Sequence, residues 1–66
     1  MQIQVNGELR RVDDGIDVAG LLRVLGVGEH GVAVLVNGEL IPRTTWSERH
    51  VVQEDQLEIV RMVGGG

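Results

Sequence analysis

The last nine residues, Glu58-Ile59-Val60-Arg61-Met62-Val63-Gly64-Gly65-Gly66, join an apolar run to three glycines and a carboxylate. A carboxylate is a poor acyl donor, because attack at its carbon pushes electrons onto a group that is already anionic. Converting it to an acyl-adenylate supplies a leaving group, and the enzyme that does so must draw the carboxylate up to the α-phosphate of ATP in a site closed to water. Val63 to Gly66 span roughly 13 Å when extended, at ~3.3 Å per residue. Without Cβ atoms, Gly64, Gly65 and Gly66 can pass a narrow channel in whatever backbone conformation it demands. The final glycine also leaves its carbonyl open to a nucleophile. The pattern is that of an activatable handle; the competing reading is a glycine-rich end that is simply disordered.

The remaining reactive side chains offer little else. His30 and His50 have no ligand-like spacing with each other or with carboxylates, so no metal site is expected. Asp13-Asp14 and Glu54-Asp55 sit in turn-like stretches, where Asp is favoured for local hydrogen bonding. Acid–base catalysis needs a pocket that so short a chain has little room to build, and no enzyme activity is expected. There is no Cys, which excludes thiol catalysis, Cys-based metal binding and disulfides. The chain's own sulfurs are the inert thioethers of Met1 and Met62. All six basic residues are Arg, so an activated Gly66 meets no side-chain amine of its own. Codon preference in a GC-rich genome accounts for the same bias.

Charge narrows the partners. A net charge of −4 and a lone aromatic, Trp46, speak against nucleic acid. A protein with a basic patch suits this surface better, because opposite fields speed encounter. No apolar run approaches the ~20 residues that span a bilayer, and Met1-Gln2-Ile3-Gln4-Val5 lacks a signal-peptide pattern, so a cytoplasmic location without membrane contact is expected.

These groups must be positioned by one small domain. Sixty-six residues bury only about 60% of their unfolded surface, and the core has to be aliphatic. Met1 to Val5 alternate apolar and polar residues, Asn6-Gly7 is a hairpin turn signal, and residues 7–12 return as a strand with Leu9 and Val12 as its apolar positions. Asp17 then caps a helix whose Val18, Leu21, Leu22 and Leu25 form one stripe, ended by Gly26. Gly20 within it is explained by a close approach to a sheet. Val32 to Val36 are apolar on both faces, as in a central or doubly covered strand. Asn37-Gly38 makes a second turn, Pro42 marks an edge, residues 44–48 a helical turn, residues 53–55 a tight turn, and Gln56 onward the last strand. One helix among five strands predicts an α+β domain over residues 1–63. Its simplest form is a ubiquitin-like β-grasp, a mixed five-stranded sheet with the main helix on one face. Residues 64–66 follow as a flexible glycine tail. Within the last strand Val60 and Met62 alternate with Ile59 and Arg61. They are expected to face away from the helix as an apolar patch that docks partners, with Arg61 available to an acidic partner.

The chain resembles the thiamine-biosynthesis sulfur carrier family. The resemblance runs through nearly the whole length: the Asn6-Gly7 turn, Val36-Asn37-Gly38-Glu39, Ile41-Pro42-Arg43 with Trp46, and Leu57-Glu58-Ile59-Val60 ahead of the glycines. It implies that a ubiquitin-activating-like enzyme, using ATP, adenylates Gly66, and that sulfur drawn from cysteine through a desulfurase or another donor replaces AMP as a thiocarboxylate. A thiazole synthase then takes that sulfur for the thiazole of thiamine. The protein is thereby a co-substrate with no bound cofactor, threaded through Gly65, Gly64 and Val63. A carrier for another product, molybdopterin-type or secondary metabolite, and an interaction module with an inert tail are the alternatives. Relatives often carry a glycine where this chain has Gln53-Glu54-Asp55, so either the turn type differs or Glu54 tolerates an awkward φ.

Overall fold

Two Asn-Gly pairs set the connectivity of the sheet. Asn6 and Gly7 have φ of 51° and 83°, and Asn37 and Gly38 have 52° and 84°. Positive φ at both central positions is the type I′ geometry whose twist matches that of paired strands. The first turn joins β1 (Gln2–Val5) to β2 (Glu8–Arg11), and the second joins β3 (Val32–Val36) to β4 (Glu39–Ile41). Between the hairpins runs α1 (Val18–Leu25), and after a 3-10 turn at Arg43–Thr45 the chain enters β5 (Gln56–Arg61). This computed structural model describes residues 1–62.

The strands lie in the order β2-β1-β5-β3-β4. β5 inserts between the hairpins, parallel to β1 and antiparallel to β3. The expected five-stranded mixed sheet of an α+β β-grasp is what the chain forms. Its helix is short, so capping and packing must hold it. The Asp17 side chain accepts the Gly20 amide at 2.6 Å, and Gly26, at φ 74°, terminates the last turn. Val18, Leu21 and Leu22 are fully buried against Ile3, Val34, Val36 and Leu57 from the sheet. Each such side chain contributes about 1.5–3 kcal/mol by leaving water.

Trp46 closes the far side of this aliphatic core. It is 2% exposed, and its indole N–H donates to the Ile41 carbonyl at 2.9 Å. The helical turn before it starts at Arg43, one residue earlier than expected.

Two expectations fail for physical reasons. Leu9 is 66% exposed and not part of the core, because its register opposite Gln4 puts it on the outer face, while Arg10 opposite Ile3 takes the helix side. Gly20 does not approach the sheet. A Cβ there would sit 3.3 Å from both Asp17 Oδ1 and Ile16 Cγ1, so the glycine makes room for the helix's own cap.

The turn before β5 settles the question posed by Glu54, which takes φ 69°. A left-handed conformation costs a non-glycine residue about 1–2 kcal/mol. Glu54→Gly is therefore expected to stabilise the fold by about 1 kcal/mol, raising Tm by roughly 4–8 °C in a domain of this size. Thermal unfolding followed by circular dichroism checks this; an unchanged or lower Tm contradicts it.

Candidate functional site

The strand that leads toward the glycines is held on both edges, by β1 and by β3. Asn37, besides making its turn, donates its amide to Gln56 O at 2.7 Å and accepts the Gln56 amide on Oδ1 at 3.0 Å. Its Nδ2 donates to Asp55 Oδ1 at 2.9 Å, and the other Asp55 oxygen accepts the Val52 amide at 2.9 Å. On the opposite side β1 ends its pairing with β5 at Val5 and Leu57. Asn6 carries the ladder one step further: its Oδ1 accepts the Ile59 amide at 2.9 Å and its Nδ2 donates to the Ile59 carbonyl at 3.4 Å. Each turn asparagine thus uses its backbone for the hairpin and its side chain to clamp β5. The last described link is the Met62 amide on the Gly31 carbonyl at 2.7 Å.

Asp55 is the one buried charged side chain among the described residues, 5% exposed. Asp55→Ala strands the Asn37 amide group and the Val52 N–H without their acceptor. The expected cost is about 1–3 kcal/mol, measurable by urea denaturation. A midpoint equal to the parent's contradicts the clamp.

Val60 and Met62 point to the outer face, as the alternation predicts, with exposures of 45% and 63%. Arg61 falls on the opposite, helix side with Ile59 and Leu57, opposite Val32. The three candidate residues that the structure describes therefore divide between two faces. Val63, Gly64, Gly65 and Gly66 lie outside the described residues.

Sequence reasoning missed part of the outer patch. Ala33 pairs with Val60, and Leu35 pairs with both Glu58 and Leu40, so Ala33, Leu35 and the 62% exposed Leu40 extend the apolar surface beside Val60. The signal was present in Val32-Ala33-Val34-Leu35-Val36. A chain with one short helix can cover one sheet face, so the second apolar face of that strand is left open. Leu35 and Ala33 are partly exposed where a doubly covered strand would bury them.

No group of three or more metal-type ligands forms among the described residues. What the arrangement offers is a central strand hydrogen-bonded along both edges, with an apolar surface on its outer face. No helix of the described residues is long and apolar enough to cross a membrane.

Comparison with known proteins bears on the chain's role. A family model described as ThiS family matches residues 3–66. The Sulfur carrier protein ThiS of Escherichia coli K12 is 33% identical over 67 residues, covering all of both chains. A protein named Thiazole synthase from Paramagnetospirillum magneticum is 39% identical over 66 residues. The present chain spans only 20% of that protein's length. The crystal structure of a thiamine biosynthesis protein (ThiS) from Geobacter metallireducens superposes with a TM-score of 0.87 at 33% identity, with both chains fully covered.

Proposed function

The chain belongs to the ThiS family, and from that premise we propose that it is a sulfur carrier for thiamine biosynthesis whose working group is the carboxylate of Gly66. An adenylating enzyme brings that carboxylate to ATP; a carboxylate oxygen attacks the α-phosphorus and pyrophosphate leaves. A sulfur nucleophile, supplied from cysteine by a desulfurase or an equivalent donor, then attacks the acyl carbon. AMP departs with the bridging oxygen. Sulfide as the nucleophile leaves the thiocarboxylate directly. A persulfide leaves an acyl disulfide, whose S–S bond a thiol of the partner enzyme then cleaves, releasing the thiocarboxylate as that thiol is oxidised to a disulfide. The acceptor enzyme's substrate takes the sulfur, the acyl C–S bond breaks, and an oxygen from that substrate or from water restores the carboxylate. Throughout, the protein is acted upon; ATP binds to its partner, and the modification is carried covalently on Gly66.

The observation that carries this reading is the clamped strand β5. Asn6 and Asn37 fix it from both sides, so a pull on Val63-Gly64-Gly65-Gly66 during transfer is resisted by the whole sheet. Val60 and Met62 supply a docking surface at the same end. A thiazole synthase as the acceptor is supported by the similarity to a protein of that name, in which a matching stretch forms a fifth of a longer polypeptide.

The test is a reconstituted reaction. With the adenylating enzyme, the protein is expected to drive exchange of labelled pyrophosphate into ATP, and that exchange stops when Gly65-Gly66 are removed. Exchange that persists at the parent rate after truncation excludes the proposed site.

A further inference from the structure

The helix cannot cover the sheet it packs on. Eight residues make a helix about 12 Å long, whereas five strands spread over roughly 19 Å between the outer axes. The uncovered part lies over β2, whose four residues are all exposed. There a groove of about 270 Å³ runs between the C-terminal end of α1 and β2, with Leu25, Val27 and Ile59 among its apolar walls and Arg10, Arg61 and Glu8 at its rim. Leu25, Val27 and Ile59 are half-buried and pack on the core, so the floor is a preformed aliphatic surface. Arg10 meets Glu8 only at 4.0 Å, with the two side chains 49% and 76% exposed, a contact too loose and wet to neutralise it.

In a protein of net charge −4, this groove places two guanidinium groups and one carboxylate around an apolar floor. Guanidinium groups favour carboxylates, which they bind through paired hydrogen bonds. The volume is below the range of typical small-molecule sites, and the groove is open along one side, so it suits one or two side chains of a protein and not a whole metabolite. We propose that this groove receives a segment of the adenylating enzyme that carries an Asp or Glu beside an aliphatic residue: the aliphatic side chain rests on Leu25, Val27 and Ile59, and the carboxylate pairs with Arg10 and Arg61. The identity of that partner rests on the carrier reading. The groove borders β5 on the helix side as the apolar patch does on the outer face, so a partner that grips the strand leading to Gly66 meets both.

Arg10→Glu and Arg61→Glu test this directly. Both positions are exposed strand residues, and circular dichroism melts confirm that the variants fold. In pyrophosphate exchange, each is expected to raise the KM for the carrier about tenfold or more with kcat within about twofold of the parent, since reversing a charge at an interface acts on association. Folded variants with parental KM overturn the proposal. If the parent protein is itself not adenylated, the carrier reading has failed, and the groove is judged separately by methyl NMR with two peptides, acetyl-Leu-Glu-Leu-amide and acetyl-Leu-Gln-Leu-amide, at millimolar concentration. Shifts at Leu25, Val27 and Ile59 with the first peptide that weaken with the second and vanish in Arg10→Glu support an acidic–aliphatic ligand. Equal shifts with both peptides, or none with either, overturn it.

Discussion

A chain lengthened by one alanine beyond Gly66 is expected to fold as the parent does and to accept no sulfur at all. The added residue moves the carboxylate by one peptide unit, ~3.3–3.6 Å, far outside the tolerance of an in-line attack on phosphorus. Misplacement of reacting atoms by about 1 Å already costs on the order of 100-fold. The former Gly66 carbonyl becomes an amide, with no anionic oxygen to attack ATP, and the new terminus places a Cβ where only glycine leaves the acyl carbon unobstructed. The folding half of the expectation rests on the core, whose buried members among the described residues run from Ile3 to Leu57. Equal melting curves together with undiminished thiolation of the lengthened chain contradict the assignment of Gly66.

Val60→Asp is expected to have the next largest effect. Val60 lies in the middle of the outer patch, beside Ala33 in the strand register and one residue from the far edge of the clamp. On the free protein the change replaces a 45% exposed valine by aspartate on a strand, a loss of about 1 kcal/mol in strand preference. On docking, the new carboxylate would be desolvated against an apolar partner surface with no compensating partner, a cost of about 2 kcal/mol or more, roughly 30-fold in binding. KM for the carrier in pyrophosphate exchange should therefore rise by about 30-fold or beyond while the chain end stays chemically intact. Val52→Asp, at a similarly exposed valine outside the patch (57% exposed), serves as the control and should leave KM unchanged. Equal effects of the two substitutions remove the patch from the account.

The parts of the fold that were legible are those written in short-range chemistry. Asn6-Gly7 and Asn37-Gly38 announce their turns because positive φ at two successive positions leaves few other residue choices. Asp17 and Gly26 bracket the helix because the orphan amides and carbonyls of its ends need partners within a turn. The proposed chain-end chemistry likewise rests on local sequence, three consecutive glycines and a carboxylate. What could not be read is what depends on distant pairing. The Asn6 side chain clamps Ile59, 53 residues away, and Asn37 reaches Asp55; a turn asparagine looks the same whether or not a strand later passes beside it. Leu9 is an apolar strand position, yet register and not residue type decides which face it takes, and that register places it on the outer face. Val32 to Val36 do form an interior strand, one of the two arrangements their apolar run suggested, but the run alone does not say that the face carrying Leu35 stays uncovered beside Leu40. The groove between α1 and β2 follows from a mismatch of lengths that only assembled elements reveal.

The central claim is that Gly66 is charged with sulfur. Because the chain has no cysteine, its thiocarboxylate would be its one thiol-like group, and iodoacetamide would then mark it alone. The label also separates thiolation from oxidation of Met1 or Met62, which adds nearly the same mass. After incubation with the adenylating enzyme, ATP and a sulfur donor, followed by alkylation and fragmentation by mass spectrometry, one label is predicted, on the acyl group of Gly66 and dependent on ATP. An active enzyme that consumes ATP yet leaves the chain unlabelled, or a label found on any other residue, contradicts the account.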